Sequence, residues 1–276
     1  NNARLGVATQ GIGVAEAAYQ HALAYAMDRK QGRAGGTGAI VEHADVRRML
    51  ASMKADVFAA RAISMANAVA IDMATATGDA AWTARAALLT PISKAFGTDI
   101  GVEVAATGIQ THGGMGFIEE TGAAQYARDV RVTTIYEGTN GIQAMDLVAR
   151  KMADNGEAAF ALLDEIESAA EAAKATMPDL AGPIWDAAET LREATEWLVA
   201  QDMADRFAGA VPYLRAFARV LGGHYHLSAA MQGDATRARL ATFYIKRILP
   251  EHAALLAHVR EGGDDLMAIT IDDLVA

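Results

Sequence analysis

The side chains best suited to chemistry in this chain lie between Gln110 and Met145. That stretch opens Gln110-Thr111-His112-Gly113-Gly114-Met115-Gly116-Phe117 and continues to Ile135-Tyr136-Glu137-Gly138-Thr139-Asn140-Gly141-Ile142-Gln143. Gly113, Gly114 and Gly116 can take positive φ or let a ligand come close to the backbone. Glu137 stands between bulky Ile135-Tyr136 and Gly138-Thr139, where helical periodicity restarts. A carboxylate with apolar neighbours on one side and bare backbone on the other is suited to general-base work. Burial there would raise its pKa, and the glycine leaves room for a substrate carbonyl. The plainer reading makes Gly113-Gly114 a turn and Glu137 a carboxylate favoured at a helix start by the dipole.

The rest of the chain must position that stretch, and it reads as alanine-rich helix. Small and apolar residues recur at helical spacing over 4–27 (Leu5, Ala8, Ile12, Ala15, Tyr19, Leu23), predicting a helix with a glycine-alanine face that stops near Asp28-Arg29-Lys30-Gln31-Gly32. Residues 34–38 form a glycine-rich loop that lacks the Gly-Lys-Ser/Thr ending of a phosphate loop. Asp45 opens a long helix with Val46, Met49, Met53, Val57, Ala60, Ile63, Met65 and Val69 as its apolar stripe. A third helix covers 80–108, with Pro91 as a kink or short break. A short helix follows over 119–128, and another runs from near Gly138 past Arg150. Four or five long antiparallel helices on short turns make a bundle.

Asn155-Gly156 marks a boundary. Beyond it, helices rich in alanine and acidic residues are expected over 158–176, 181–207, 211–231 and 235–260, with an acidic tail at 262–276. The predicted fold class is therefore all-α: an antiparallel helical bundle over 1–155, followed by a second, smaller helical bundle over 156–276.

With 276 residues, 52% of them hydrophobic, and only 5 prolines, the chain can bury a sizeable helical core. Its net charge of −10 speaks against electrostatic binding of nucleic acid. The absence of cysteine excludes disulfides and thiolate chemistry and is compatible with a cytoplasmic setting. Charges interrupt every apolar run, so neither a membrane span nor a signal peptide is expected. His224-x-His226 has poor metal-ligand spacing for a helix, and no metal is assigned. The chain opens on Asn1-Asn2, already near a helix, and is expected to be part of something longer.

The pattern Gln110-x-x-Gly113-Gly114-x-Gly116-Phe117, then Arg128-Asp129-x-Arg131, then Ile135-Tyr136-Glu137-Gly138-Thr139-x-x-Ile142-Gln143 resembles the acyl-CoA dehydrogenases. The resemblance covers 4–152 and corresponds to that family's C-terminal helical bundle. It implies an FAD enzyme that desaturates an acyl-CoA, in which Glu137 removes the α-proton while a hydride passes to flavin. By resemblance, the Glu137 amide helps hold the thioester carbonyl and Gly138 lies beside the thioester. The carbonyl must be polarised, because an α-proton is otherwise too weakly acidic for a carboxylate. Thr139 matches a flavin contact. Gln110, Gly113 and Gly114 match a loop that touches the FAD of a neighbouring subunit, and Arg29 matches an arginine on the FAD diphosphate, also across that interface. Arg4 matches an arginine near the CoA portion. Arg4, Gln110 and Thr139 are thus expected to converge on one groove faced by Glu137. Arg128, Asp129 and Arg131 are expected to form an ion-pair cluster that fixes the turn before Glu137.

Two positions depart from the family pattern. Gly141 leaves only backbone where many members carry a polar flavin contact, and Gln31-Gly32 stands where an aromatic and a glycine are usual. The stretches 112–123 and 138–144 resemble the long acyl-CoA dehydrogenases with an extra C-terminal helical domain, a group that includes the methylmercaptopropionyl-CoA dehydrogenase type, and the resemblance implies 3-(methylthio)propanoyl-CoA as a candidate substrate. The implied partners are an acyl-CoA substrate, an electron-transfer flavoprotein, and a second copy in a homodimer or dimer of dimers. The family's N-terminal helical and β-domains have no counterpart here, so the isolated chain is expected to be inactive. The rival readings are an acyl-CoA oxidase and a non-catalytic helical assembly or interaction protein of the same fold.

Overall fold

The structure, a computed structural model, describes residues 2–32 and 36–276. Ala34 and Gly35 of the glycine-rich loop lie outside the described residues. Three long helices carry the first half: α1 (Asn2–Asp28), α2 (Ala44–Thr77) and α3 (Ala80–His112). Gly78, in the left-handed region at φ 68°, closes α2, and the Asp79 side chain then caps α3 by accepting from Ala81 N. α1 and α3 run parallel, with α2 antiparallel to both. Their closest approach is at glycine: a Cβ on Gly11 would stand 2.8 Å from Gly97 O and 2.9 Å from Thr98 Cα. The glycine-alanine face of α1 therefore lets two backbones touch. α3 is continuous through Pro91, so the break expected there does not form. Thr90 Oγ1 donates to Ala86 O at 2.7 Å, and the residues on both sides of the proline are buried.

The remaining elements of this half are short: α4 (Gly114–Phe117), α5 (Ala123–Arg131) and α6 (Asn140–Ala149). The bundle thus has three long helices rather than four or five. Met65 and Val69, placed on the apolar stripe of α2 by periodicity, are instead 64% and 54% exposed. α2 is also long and apolar enough by length and composition to cross a membrane, yet its buried face packs against α1, α3 and α10.

The second half comprises α7 (Glu157–Ala173), α8 (Pro178–Ala200), α9 (Met203–Ala208), α10 (Ala210–Ala230), α11 (Ala235–Arg247) and α12 (Glu251–Arg260), with short α13 (Asp264–Ala268) and α14 (Ile271–Val275) at the end. Two spans expected as single helices are divided. Gln201 turns extended and Asp202 caps α9 through Ala204 N and Asp205 N, and Pro250 separates α11 from α12. Helix α10 is the centre of this half and packs on α2, α3 and α6 as well as on its own neighbours. Apolar burial is continuous from Ile12 through Val259, so both halves share one core. Arg219 clamps them, pairing with Asp56 of α2 at 2.5 Å and Glu251 of α12 at 2.5 Å.

Candidate active site

Glu137 lies on the turn between α5 and α6 in the left-handed region at φ 56°, followed by Gly138 at φ 84°. A left-handed non-glycine residue costs on the order of 1–3 kcal/mol and persists only where its surroundings hold it. The surroundings here are specific. Gln143 Nε2 donates to the Glu137 carbonyl at 3.0 Å and the Gly138 carbonyl at 3.2 Å. A Cβ on Gly138 would fall 2.8 Å from that same Nε2, and at φ 84° any side chain there would be strained, so the position favours glycine. With both carbonyls turned inward, the N–H groups of Glu137 and Gly138 donate to no acceptor among the described residues.

Thr139 caps α6, its Oγ1 accepting from Ile142 N at 3.4 Å. Arg4 reaches the same turn from α1. Its Nη1 donates to Gln143 Oε1 at 3.0 Å and to Asp146 Oδ2 at 2.9 Å. Burial alone would push the Asp146 carboxyl up, but hydrogen bonds from Arg4 and Arg150 outweigh it and hold the group below its ordinary range. Tyr136 hydroxyl donates to Gln10 of α1, tying the turn down on its other side.

Lys94, which pattern reading passed over, lies beneath the turn. It is fully buried in α3, and its Nζ donates to Gly138 O at 2.8 Å and Asn140 Oδ1 at 2.9 Å. Burial pushes this ammonium down to about 8, against the pull of the Asp99 and Glu137 carboxylates. Asn140 Nδ2 in turn donates to Asp99 Oδ1 at 2.6 Å. The sequence did carry a signal: Lys94 is the only charge between Arg85 and Asp99, set among Leu88, Leu89, Ile92 and Phe96.

Other expected site residues lie elsewhere. Gln110 is exposed on the last turn of α3, which Gly113 closes at φ 62°. From Lys94 to Gln110 is sixteen helical residues, about 24 Å at 1.5 Å each. Gln110 therefore does not share a groove with Glu137, Thr139 and Arg4 within one chain, contrary to expectation. Gln110 instead groups with Gly113, Gly114 and Arg29, because the parallel α1 and α3 end together, as the stacking of Tyr25 on His112 at 4.4 Å shows. The Arg29 side chain is exposed and donates to none of the described residues, and a Cβ on Gly113 or Gly114 would meet nothing within 4 Å. This end of the molecule offers a guanidinium and open backbone, a donor set that fits a phosphate-bearing cofactor.

Further expectations are corrected. Glu137 is exposed in this chain, not buried, because its turn stands proud of the bundle. Its neighbours Val132, Ile135, Tyr136, Ile142 and Met145 are apolar and exposed as well. Arg128 pairs bidentately with Glu119 at 2.8 and 2.6 Å rather than with Asp129, which instead accepts from Gln125. The expected Arg128-Asp129-Arg131 cluster does not form, since successive side chains on α5 point apart. The His112 ring is buried, with Nδ1 against Gly108 O at 2.7 Å. His224 and His226 are buried in α10, and among the described residues no group of three His, Asp or Glu side chains could hold a metal ion.

Comparison with known proteins matches this architecture to two family models. Residues 1–153 match the C-terminal domain of acyl-CoA dehydrogenases, and residues 162–270 match the acetyl-CoA dehydrogenase C-terminal-like model. The chain belongs to the acyl-CoA dehydrogenase family. It is 37% identical to 3-methylmercaptopropionyl-CoA dehydrogenase of Ruegeria pomeroyi, over 98% of this chain and 50% of that one. It is also 37% identical to a butyryl-CoA dehydrogenase of Syntrophomonas wolfei, over 55% of this chain and 26% of that one. The chain thus spans half or less of the length of these relatives. Among solved structures, the Bacillus anthracis acyl-CoA dehydrogenase complexed with FAD shares the fold, with a TM-score of 0.76 at 17% identity over 97% of this chain and 50% of that one.

Proposed function

We propose that this chain is the base-bearing C-terminal part of an FAD-dependent acyl-CoA dehydrogenase, and that Glu137 removes the α-proton of an acyl-CoA thioester. The observation that supports it best is the left-handed turn at 137–138. It holds two carbonyls inward and leaves two N–H donors and a carboxylate on the open side. A thioester oxygen accepting from the Glu137 N–H gains stabilisation as enolate charge develops, which is what makes the α-proton removable by a carboxylate. The proton passes from the α-carbon to a Glu137 oxygen. Bound FAD supplies the acceptor for the β-hydrogen as hydride. Gly138 gives the thioester access to the backbone, and Arg4 offers its Nε and Nη2 donors to the CoA portion, since only Nη1 is engaged. Thr139 can donate its hydroxyl hydrogen to flavin while its oxygen caps α6.

Arg29, Gln110, Gly113 and Gly114, about 24 Å away along α3, then serve the FAD of a neighbouring subunit. A homodimer or dimer of dimers follows, with electrons leaving to an electron-transfer flavoprotein in a cytoplasmic setting. The exposed apolar residues around Glu137 are a surface that the upstream half of the enzyme would cover. The identity with the Ruegeria enzyme makes 3-(methylthio)propanoyl-CoA the first substrate to try. The division at Asn155-Gly156 belongs to this reading too, as a boundary between two helical sets sharing one core.

The test is Glu137→Gln in the full-length enzyme. Flavin and acyl-CoA binding should persist while anaerobic flavin bleaching by 3-(methylthio)propanoyl-CoA falls by at least about a thousandfold, the scale of losing an acid–base group. Bleaching at the unmodified rate would overturn the assignment, and would be the result expected of a helical assembly protein. Slow reaction of the reduced enzyme with oxygen separates the dehydrogenase from an oxidase.

A further inference from the structure

Lys94 is a buried cation without a carboxylate in contact. The acceptors it touches are the Gly138 carbonyl and the Asn140 side-chain oxygen, both neutral. A buried ammonium is costly unless paired, and a neutral donor could tie the same carbonyl. The charged groups acting on it are Asp99, just over one turn along α3, and Glu137 on the turn above. Asp99 is itself engaged by Asn140 and faces Glu103 and Arg215. Of the other charges near the turn, Arg4 and Arg150 are matched with Asp146, and Arg215 with Glu103 and Glu251, while Arg131 at the end of α5 is exposed and forms no ion pair among the described residues. The Lys94 charge therefore has Glu137 as its one ionisable neighbour outside the α3–Asn140 network.

We propose that Lys94 is a positioning residue for the Glu137 base: it pins the Gly138 carbonyl so that the left-handed turn stays formed, and its charge keeps the Glu137 carboxylate ionised once the site is closed from water. This rests on reading Glu137 as the base. Apolar cover over Glu137 favours the protonated acid, which cannot accept the α-proton; the Lys94 cation beneath the turn opposes that at pH values below about 8. The side chain that provides the hydrogen bond is then the same one that sets the charge state.

The experiment uses the full-length FAD-loaded enzyme and follows anaerobic flavin reduction by 3-(methylthio)propanoyl-CoA across pH 5.5–7.5, where Lys94 keeps its charge. Lys94→Met should raise the apparent pKa that governs reduction by about one unit or more, the scale of one opposite charge at close range. At pH values below both pKa values the rate should fall about tenfold relative to the unmodified enzyme, and the gap should narrow as pH rises. Lys94→Gln, which keeps a donor to Gly138 without the charge, should show the same displaced profile and carries the test if Lys94→Met does not fold. Lys94→Arg should restore the original profile in part. A profile that keeps its pKa in Lys94→Gln and Lys94→Met, with rates unchanged or uniformly lowered, overturns the proposal. Glu137→Gln run alongside keeps the two ideas apart: if it bleaches normally, the base assignment itself is wrong. If it is dead while the neutral Lys94 variants titrate normally, only the role of Lys94 falls.

Discussion

Asp146 shows how much of this site is support rather than chemistry. Its carboxylate is buried, and it takes Arg4 on one oxygen and Arg150 on the other. Arg4 bridges it to Gln143, which holds both carbonyls of the 137–138 turn. Arg4→Met should therefore leave Asp146 half-paired and loosen the Gln143 amide together. We expect a loss of about 1–3 kcal/mol in denaturant unfolding, the cost of leaving a buried polar group unsatisfied. The variant of the full-length enzyme should also bind acyl-CoA more weakly, and unchanged stability would show that Arg150 alone suffices. Gln143 was legible only as part of a family pattern, and nothing in its type or spacing said which carbonyls it would take.

At the scale of elements, the site exists because α1 and α3 approach closely enough for Arg4, Lys94 and the α5–α6 turn to meet. Two glycines set that distance. A Cβ on Gly101 would stand 2.7 Å from Val130 Cγ2 and 2.9 Å from Gly11 O, so Gly101→Ala must push α5 or α1 outward. Overpacking of this kind costs about 1–3 kcal/mol, and since α5 leads into the Glu137 turn, flavin reduction should fall along with the melting temperature. Gly141→Ala is the control: its Cβ would meet nothing within 4 Å, and helix propensity favours the change. Destabilisation by Gly141→Ala but not by Gly101→Ala would contradict this packing account.

Across the whole molecule, Arg219 and His226 of α10 both bond to α2 and so tie the halves together. Burial pushes the Asp56 carboxyl up, and the Arg219 guanidinium pulls it back. Arg219→Met removes the one partner bonded to Asp56 and should cost about 3–5 kcal/mol, as breaking a buried pair does. Because the core is shared, calorimetry should still show one transition rather than two; separate melting of 1–155 and 156–276 would refute a common core. His226 adds a pH dependence. Its Nε2–H donates to Ala55 O across the junction at 3.1 Å, and burial holds the ring's pKa down to about 4 from an ordinary 6.5. The unfolded chain therefore takes up a proton near 6.5 that the fold refuses until about 4, so this contribution to stability is lost as pH falls through that window. His226→Gln, which can still donate to Ala55, should flatten the fall in melting temperature over that range, while an equally steep fall would exclude His226 as its source.

What the sequence determined by itself was local. Helical periodicity, the glycine-alanine face of α1 and the unusual carboxylate beside Gly138 all follow from residue type and near neighbours. So did a misplaced detail: periodicity assigned Met65 and Val69 to a buried stripe, because a pattern cannot know which neighbours arrive. Tertiary structure alone decided that the 137–138 turn docks over Lys94, about 24 Å along α3 from Gln110, and that Arg128 reaches Glu119 instead of Asp129. It also decided that a lone lysine in an apolar run comes to lie under the 137–138 turn. Chain spacing bounds the distance between two residues, but only helices packed at fixed separation and register turn that bound into contact.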